Sequence, residues 1–438
     1  MSYTPSGVAS SPLWILARGQ RTRGDREEDS SQTYMRSGTV RFTSWLLWLS
    51  AAELGTMLTF STYSGTLPLL RVEWDMTGAQ AGGVFAAQQI GYTVAVLVLS
   101  SLTDLVGVRR IYLLSSALNG LASLLFALMA NDFRSAAVFR ILCGVGLAGT
   151  YVPGMRLVVE RAPSGRRGAA MGIYISAFSL GAAASLFLTS LLLRWGWRMS
   201  FLASAVGPLL AFGIAWFIVS DLRPLRTRRI PFRQALFNAQ ALRFSLAYAA
   251  HNWELFGMRA WLPSFLTAGW VAAHVPLGQA AARASAFGGL VLMASALSNA
   301  TGGWLSDHLG RRPTIVLFLT ASSACSLSVG WLLPYGLRVV LPLAALYGLL
   351  VTAESSTLST AVAESADPEA LGTTLAIQSS LGFAASAVSP ALFGILLDAF
   401  GGWGWAFASL GFVALLGVII VIRSASGGSS PPFPMSSL

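Results

Sequence analysis

Leu102-Thr-Asp-Leu-Val-Gly-Val-Arg-Arg110 returns later in the chain as Leu305-Ser-Asp-His-Leu-Gly-Arg-Arg312, and each copy is a short polar interruption between two long apolar stretches. An Asp-x-x-Gly turn closed by two arginines forces a tight reversal and sets fixed charges beside a helix end, where they act on the backbone dipole. Further pairs follow in the same order. Glu53-Leu-Gly-Thr-Met57 answers Glu254-Leu-Phe-Gly-Met258, Ser179-Leu-Gly-Ala-Ala-Ala-Ser185 answers Ser380-Leu-Gly-Phe-Ala-Ala-Ser386, and Gly196-Trp197 with Phe201 answers Gly402-Trp403 with Phe407. Several matches at similar offsets mark an internal repeat.

Of 438 residues, 54% are hydrophobic and 11% charged, more apolar surface than a soluble core can use, so the chain reads as an all-α membrane protein. Crossing a bilayer takes about 20 apolar residues. Twelve such stretches are expected, near 43–70, 79–101, 111–130, 133–156, 168–193, 199–220, 243–269, 284–304, 314–333, 338–361, 372–398 and 402–422. The expected organisation is a disordered cytoplasmic tail over 1–41, a six-helix bundle over 42–220, a cytoplasmic linker over 221–243, a second six-helix bundle over 244–423 and a disordered cytoplasmic tail over 424–438. Met35 stands just before Arg36, Arg41 and the first span, where an internal start would fall. Six spans per half make both halves enter the membrane in the same sense, which predicts a pseudo-two-fold along the membrane normal and a central site near mid-bilayer.

All 29 basic residues are arginine, which excludes a phosphate loop of the Walker type because that motif needs lysine. With both termini inside, Arg71, Arg134, Arg194, Arg198, Arg283 and Arg338 fall outside, Arg140 and Arg259 lie within spans, and the rest are cytoplasmic. This positive-inside pattern fixes the expected orientation and accounts for the net charge of +11 without a nucleic-acid partner; contact with membrane lipid suffices. Cys143 and Cys325 sit inside spans as small packing residues, so neither a disulfide nor a metal site is expected. No His-Glu-x-x-His or Gly-x-Ser-x-Gly motif is present, so neither catalytic residues nor a cofactor are expected and the chain does not read as an enzyme. The 41-residue tail is too short for an output domain, which argues against a transport-inactive sensor.

Glu53 and Glu254 each fall about 15 Å into a span, near the middle of a roughly 30 Å core. A charge there costs on the order of 2.5–3.5 kcal/mol and marks a functional group by default. A carboxyl drawn out of water is more easily protonated, so both are candidate proton sites; the alternative is a structural ion pair with Arg140 or Arg259. His251 shares a helix face with Glu254 and is either a proton partner or a hydrogen-bonded core histidine. Arg259 suits an anionic substrate or a glutamate. Glu354, placed near the cytoplasmic end of the tenth span, is either a cavity group or a carboxylate reaching headgroup-level water. Gln88, Gln89, Tyr92, Asn299 and Gln378 are candidate hydrogen-bonding groups for a small solute, with bonds between helices as the alternative.

Over residues 42–423 the chain resembles the major facilitator superfamily. Gly303, Asp307, Gly310, Arg311 and Arg312 fit its cytoplasmic signature loop; the first copy keeps Asp104, Gly107, Arg109 and Arg110 but departs at Ser100, Leu105 and Val108. Arg140-x-x-x-Gly144-x-Gly146-x-x-Gly149 is similar to the fourth-helix signature associated with proton coupling. His251 to Leu266 looks like the seventh helix of bacterial carriers grouped with cyanate and nitrate/nitrite porters, although the arginine pattern disfavours nitrate. The resemblance implies a monomeric, proton-coupled secondary transporter of a small solute in the bacterial inner membrane; a proton-antiport exporter of drugs or metabolites is the rival, and uptake of an organic anion drawn by Arg140 and Arg259 stays open.

Overall fold

The computed structural model describes residues 42–163, 166–220 and 232–423. It forms two units, 1–47 and 48–438. In the first, residues 42–47 are helical, with the Phe42 and Trp45 rings 5.9 Å apart. The expected tails and residues 221–231 of the expected linker lie outside the described residues.

Every regular element described in the larger unit is helical. The run is α1 (48–57), α2 (Thr62–Glu73), α3 (Gly78–Val106), α4 (Val108–Met129), α5 (Phe133–Arg161), α6 (Arg167–Leu192), α7 (Trp197–Ile218), α8 (Phe232–Leu236), α9 (Ala239–Ala272), α10 (Leu277–Leu309), α11 (Arg311–Val329), α12 (Leu337–Ala353), α13 (Ser355–Ser365), α14 (Leu371–Phe400) and α15 (Trp403–Arg423). Helix starts follow local chemistry. Thr77 with Gln80 and Asp132 with Ser135 form reciprocal caps that satisfy the first free amides of α3 and α5.

Among the described residues, ten helical segments are long and apolar enough to cross a membrane, with α12 and α13 taken together as one. The expected first and seventh spans fall outside that set for different reasons. The first is broken at residues 58–61, leaving α2 only 12 residues long; α9 has ample length at 34 residues but carries His251, Asn252, Glu254 and Arg259. The outward faces are apolar: Leu114, Leu121 and Leu128, seven apart on α4, are 69%, 50% and 63% exposed. In water this stripe would be polar. Hydroxyls and amides turn inward, so the chain is an integral membrane protein whose solvent is lipid.

Each signature loop shrinks to one residue. Gly107 joins α3 to α4 at φ 91° and Gly310 joins α10 to α11 at φ 89°, conformations that only glycine adopts readily. The expected linker is partly helical, since α8 and the start of α9 fall inside it. The tenth span also differs from expectation: α12 and α13 meet at Glu354 and continue to Ser365, so this residue sits at a junction inside the span. In packing, α3 lies against α5 and α14, α10 against α6, and α9 against α14 and α15.

Candidate functional site

Glu53, on α1, is fully buried and accepts hydrogen bonds from the Tyr174 hydroxyl at 2.8 Å and from Thr56 at 3.4 Å, both on Oε2. Its Oε1 has no partner among the described residues. The alternative of an ion pair with Arg140 is not what the structure holds. The break after α1 strands backbone carbonyls, and Arg140, reaching in from α5, donates to two of them, Thr59 at 3.0 Å and Phe60 at 3.2 Å. Asn119 and Ser185 complete the clasp: Asn119 accepts from the Thr59 hydroxyl and donates to the Thr56 carbonyl, and Ser185 accepts from the Ser61 amide. Arg140 is thus occupied by backbone rather than by a carboxylate.

A second buried polar cluster centres on α9. His251 Nδ1 and Glu354 Oε1 are 3.0 Å apart with both side chains out of solvent, which replaces the headgroup-level placement expected for Glu354. Glu254 Oε2 accepts from the Ser322 hydroxyl at 2.8 Å. Tyr347 lies beside the same carboxyl, and His251 Nε2 and Glu354 Oε2 have no partner among the described residues. Glu354 comes within reach because the α12–α13 junction is held open: Asn299 accepts from the Ser356 amide at 3.1 Å, taking up an end of α13 that the break exposes.

Arg259 differs from Arg140. It is half-buried, its buried Nε has no partner, and among the described residues it makes neither an ion pair nor a hydrogen bond. Its guanidinium lies 5.8 Å from the Phe256 ring. From there a run of rings leads to the other carboxylate: Phe256 to Phe60 at 6.4 Å, Phe60 to Phe178 at 5.5 Å, Phe178 to Tyr151 at 5.0 Å and Tyr151 to Tyr174 at 6.1 Å, with Tyr174 bonded to Glu53. Tyr174, Ser322 and the ring run were not picked out from the sequence, where single tyrosines and phenylalanines in apolar spans give no signal of their own.

The remaining candidates mostly bridge helices. Gln89 donates to Ser386 at 3.1 Å and Gln378 to Ser359 at 3.1 Å, while Tyr92 packs its ring 4.8 Å from Phe383. Gln88 is buried with its Nε2 unpartnered. In the second signature loop Arg311 joins Asp307 to Glu364 on α13, at 2.9 Å to the latter, and Gly303 faces Ser356. Arg312 is half-buried beside it. In the first, Arg109 donates to the Trp216 carbonyl at the end of α7 at 2.8 Å, Arg110 is exposed, and the Asp104 side chain lies outside the described residues. An open groove of about 510 Å³ between α1 and α6, lined by apolar residues such as Leu54, Ile173 and Leu180, touches none of these candidates.

The Major Facilitator Superfamily model matches residues 49–294 and 272–434, and the chain belongs to that superfamily of secondary transporters. It is 28% identical over 270 residues to the probable 4-methylmuconolactone transporter of Cupriavidus pinatubonensis, a match covering 58% of this chain and 60% of that protein. To the gallate transporter of Pseudomonas putida it is 25% identical over 293 residues, covering 60% and 65%. The matched region thus spans less than two thirds of either relative. Among solved structures, nucleoside transporter NupG superposes with a TM-score of 0.73 over 88% of this chain and 100% of that one, at 10% identity, which shows a shared fold.

Proposed function

We propose that this protein is a secondary active transporter that carries a small organic carboxylate, an aromatic acid in the first instance, across the bacterial inner membrane by alternating access coupled to protons. The helices up to α7 form one bundle and those from α9 onward the other, related by a two-fold along the membrane normal, with both termini cytoplasmic as the arginine distribution directs. Arg259 is the observation that carries the reading: a mid-span guanidinium with no anion of its own, set against an aromatic ring. A guanidinium matches a carboxylate in a two-bonded geometry, and the face of a ring suits Phe256 and Phe60. Gallate, named for one relative, is such an anion. Glu53 and Glu254, both fully buried carboxyls, carry the coupled proton, and the His251–Glu354 pair ties the α12–α13 junction to the substrate helix.

Binding of gallate and benzoate to purified protein, measured by calorimetry, tests this. Arg259→Gln is expected to weaken both by about 10- to 100-fold, the scale of a charge-assisted hydrogen bond. Undiminished binding by the variant, or a preference for uncharged nucleosides over the acids, would overturn the assignment.

A further inference from the structure

The carboxylate of Asp398, in the last turns of α14, sits on the first turn of α3: Oδ1 accepts from the Gly78 amide at 2.7 Å and Oδ2 from the Ala79 amide at 2.8 Å. The next free amide, that of Gln80, is taken by the helix's own cap, Thr77, at 3.1 Å. One helix therefore has its N-terminus capped jointly, by its own threonine and by an aspartate 320 positions away in sequence. An acidic group at the end of α14 opposes that helix's own dipole, whereas at the start of α3 it meets a favourable one. Arg71 stands 4.0 Å from the same carboxylate. Around it the two backbones touch. A Cβ at Gly394 would run into the Gly78 carbonyl, and one at Gly82 into the Pro390 carbonyl.

We infer that Asp398 is the latch of the outer gate: it holds the two halves closed at the non-cytoplasmic end and must release the α3 amides each time the transporter opens outward. The inference rests on the reading above, which puts α3 and α14 in opposite halves and Gly78 outside. Release exposes two amides and one carboxylate to water, so the closed state is held by directional bonds that water can replace at little cost. Such a latch is strong enough to bias the resting state and weak enough to cycle.

The test uses full-length protein in sealed vesicles with Cys143 and Cys325 replaced by Ala and a single Ala86→Cys. Ala86 is 5% exposed and lies two turns into α3 from Gly78, on the same stripe as Gly82. Asp398→Ala is expected to raise the rate of labelling by a membrane-impermeant maleimide added from outside by about fivefold, the factor that one lost cap is worth. Acceleration only with reagent on the cytoplasmic side would retain the latch and overturn the orientation; no acceleration from either side would overturn the latch. Should Asp398→Ala fail to fold, Asp398→Asn serves instead, since its isosteric amide keeps one acceptor oxygen for the two amides. A smaller rise in outside labelling is expected, and none would refute the gate.

Discussion

Removing the Arg140 side chain separates a structural task from a protonic one. Arg140→Leu would strand the Thr59 and Phe60 carbonyls, which now accept at 3.0 and 3.2 Å in a fully buried setting. Each buried acceptor left without a donor costs about 1–3 kcal/mol, so the pair costs about 2–6 kcal/mol. Relief from holding a buried charge offsets part of this, which places the expected loss in melting temperature on the order of 5 °C. Arg140→Lys keeps the charge but brings a single point donor in place of a fork, so it should retain one carbonyl and lose about half as much. The assay is thermal unfolding in detergent, paired with proton-linked uptake in vesicles. If Arg140→Leu melted with the parent while losing only its proton coupling, the clasp would be wrong and the residue would belong to the proton path.

Three other outcomes are expected. Glu254→Gln, with Glu53→Gln beside it, should cut proton-linked uptake about tenfold or more, on the scale of one charge-assisted contact; full proton-driven activity in both would contradict their assignment. Gly302→Ala should cost about 1–3 kcal/mol in thermal unfolding, because its Cβ would meet the Ala353 carbonyl beside the α12–α13 junction. Gly303→Ala, whose Cβ would meet only the Ser356 hydroxyl at 3.3 Å, should cost less, and equal losses would refute the argument.

The helices and the mid-span charges could be read from the sequence because both follow from one cost, that of placing polar groups in hydrocarbon. Glu53, Glu254 and Arg259 stand out against apolar neighbours wherever the exact span ends fall. The breaks were not legible. Residues 58–61, Leu-Thr-Phe-Ser, contain neither proline nor glycine, and the groups that let the helix stop there, Arg140 donating to the Thr59 carbonyl and Ser185 accepting from the Ser61 amide, lie far off in sequence. The junction at Glu354 leaves no mark in hydropathy either, and the expected tenth span, 338–361, ends four residues before α13 does. Asp398 did leave a trace: a carboxylate in the last turns of α14 is against that helix's dipole and so needed a partner elsewhere.

The glycine contact between α3 and α14 sets how the joint between these two helices responds to conditions. At Gly78, Gly82 and Gly394 backbone meets backbone, so parting these turns uncovers little hydrocarbon and carries only a small heat-capacity change. Cooling, which weakens apolar association, should leave this seal nearly intact while loosening joints built on leucine and phenylalanine. This joint thus has its own expected thermal response, distinct from that of the surrounding core.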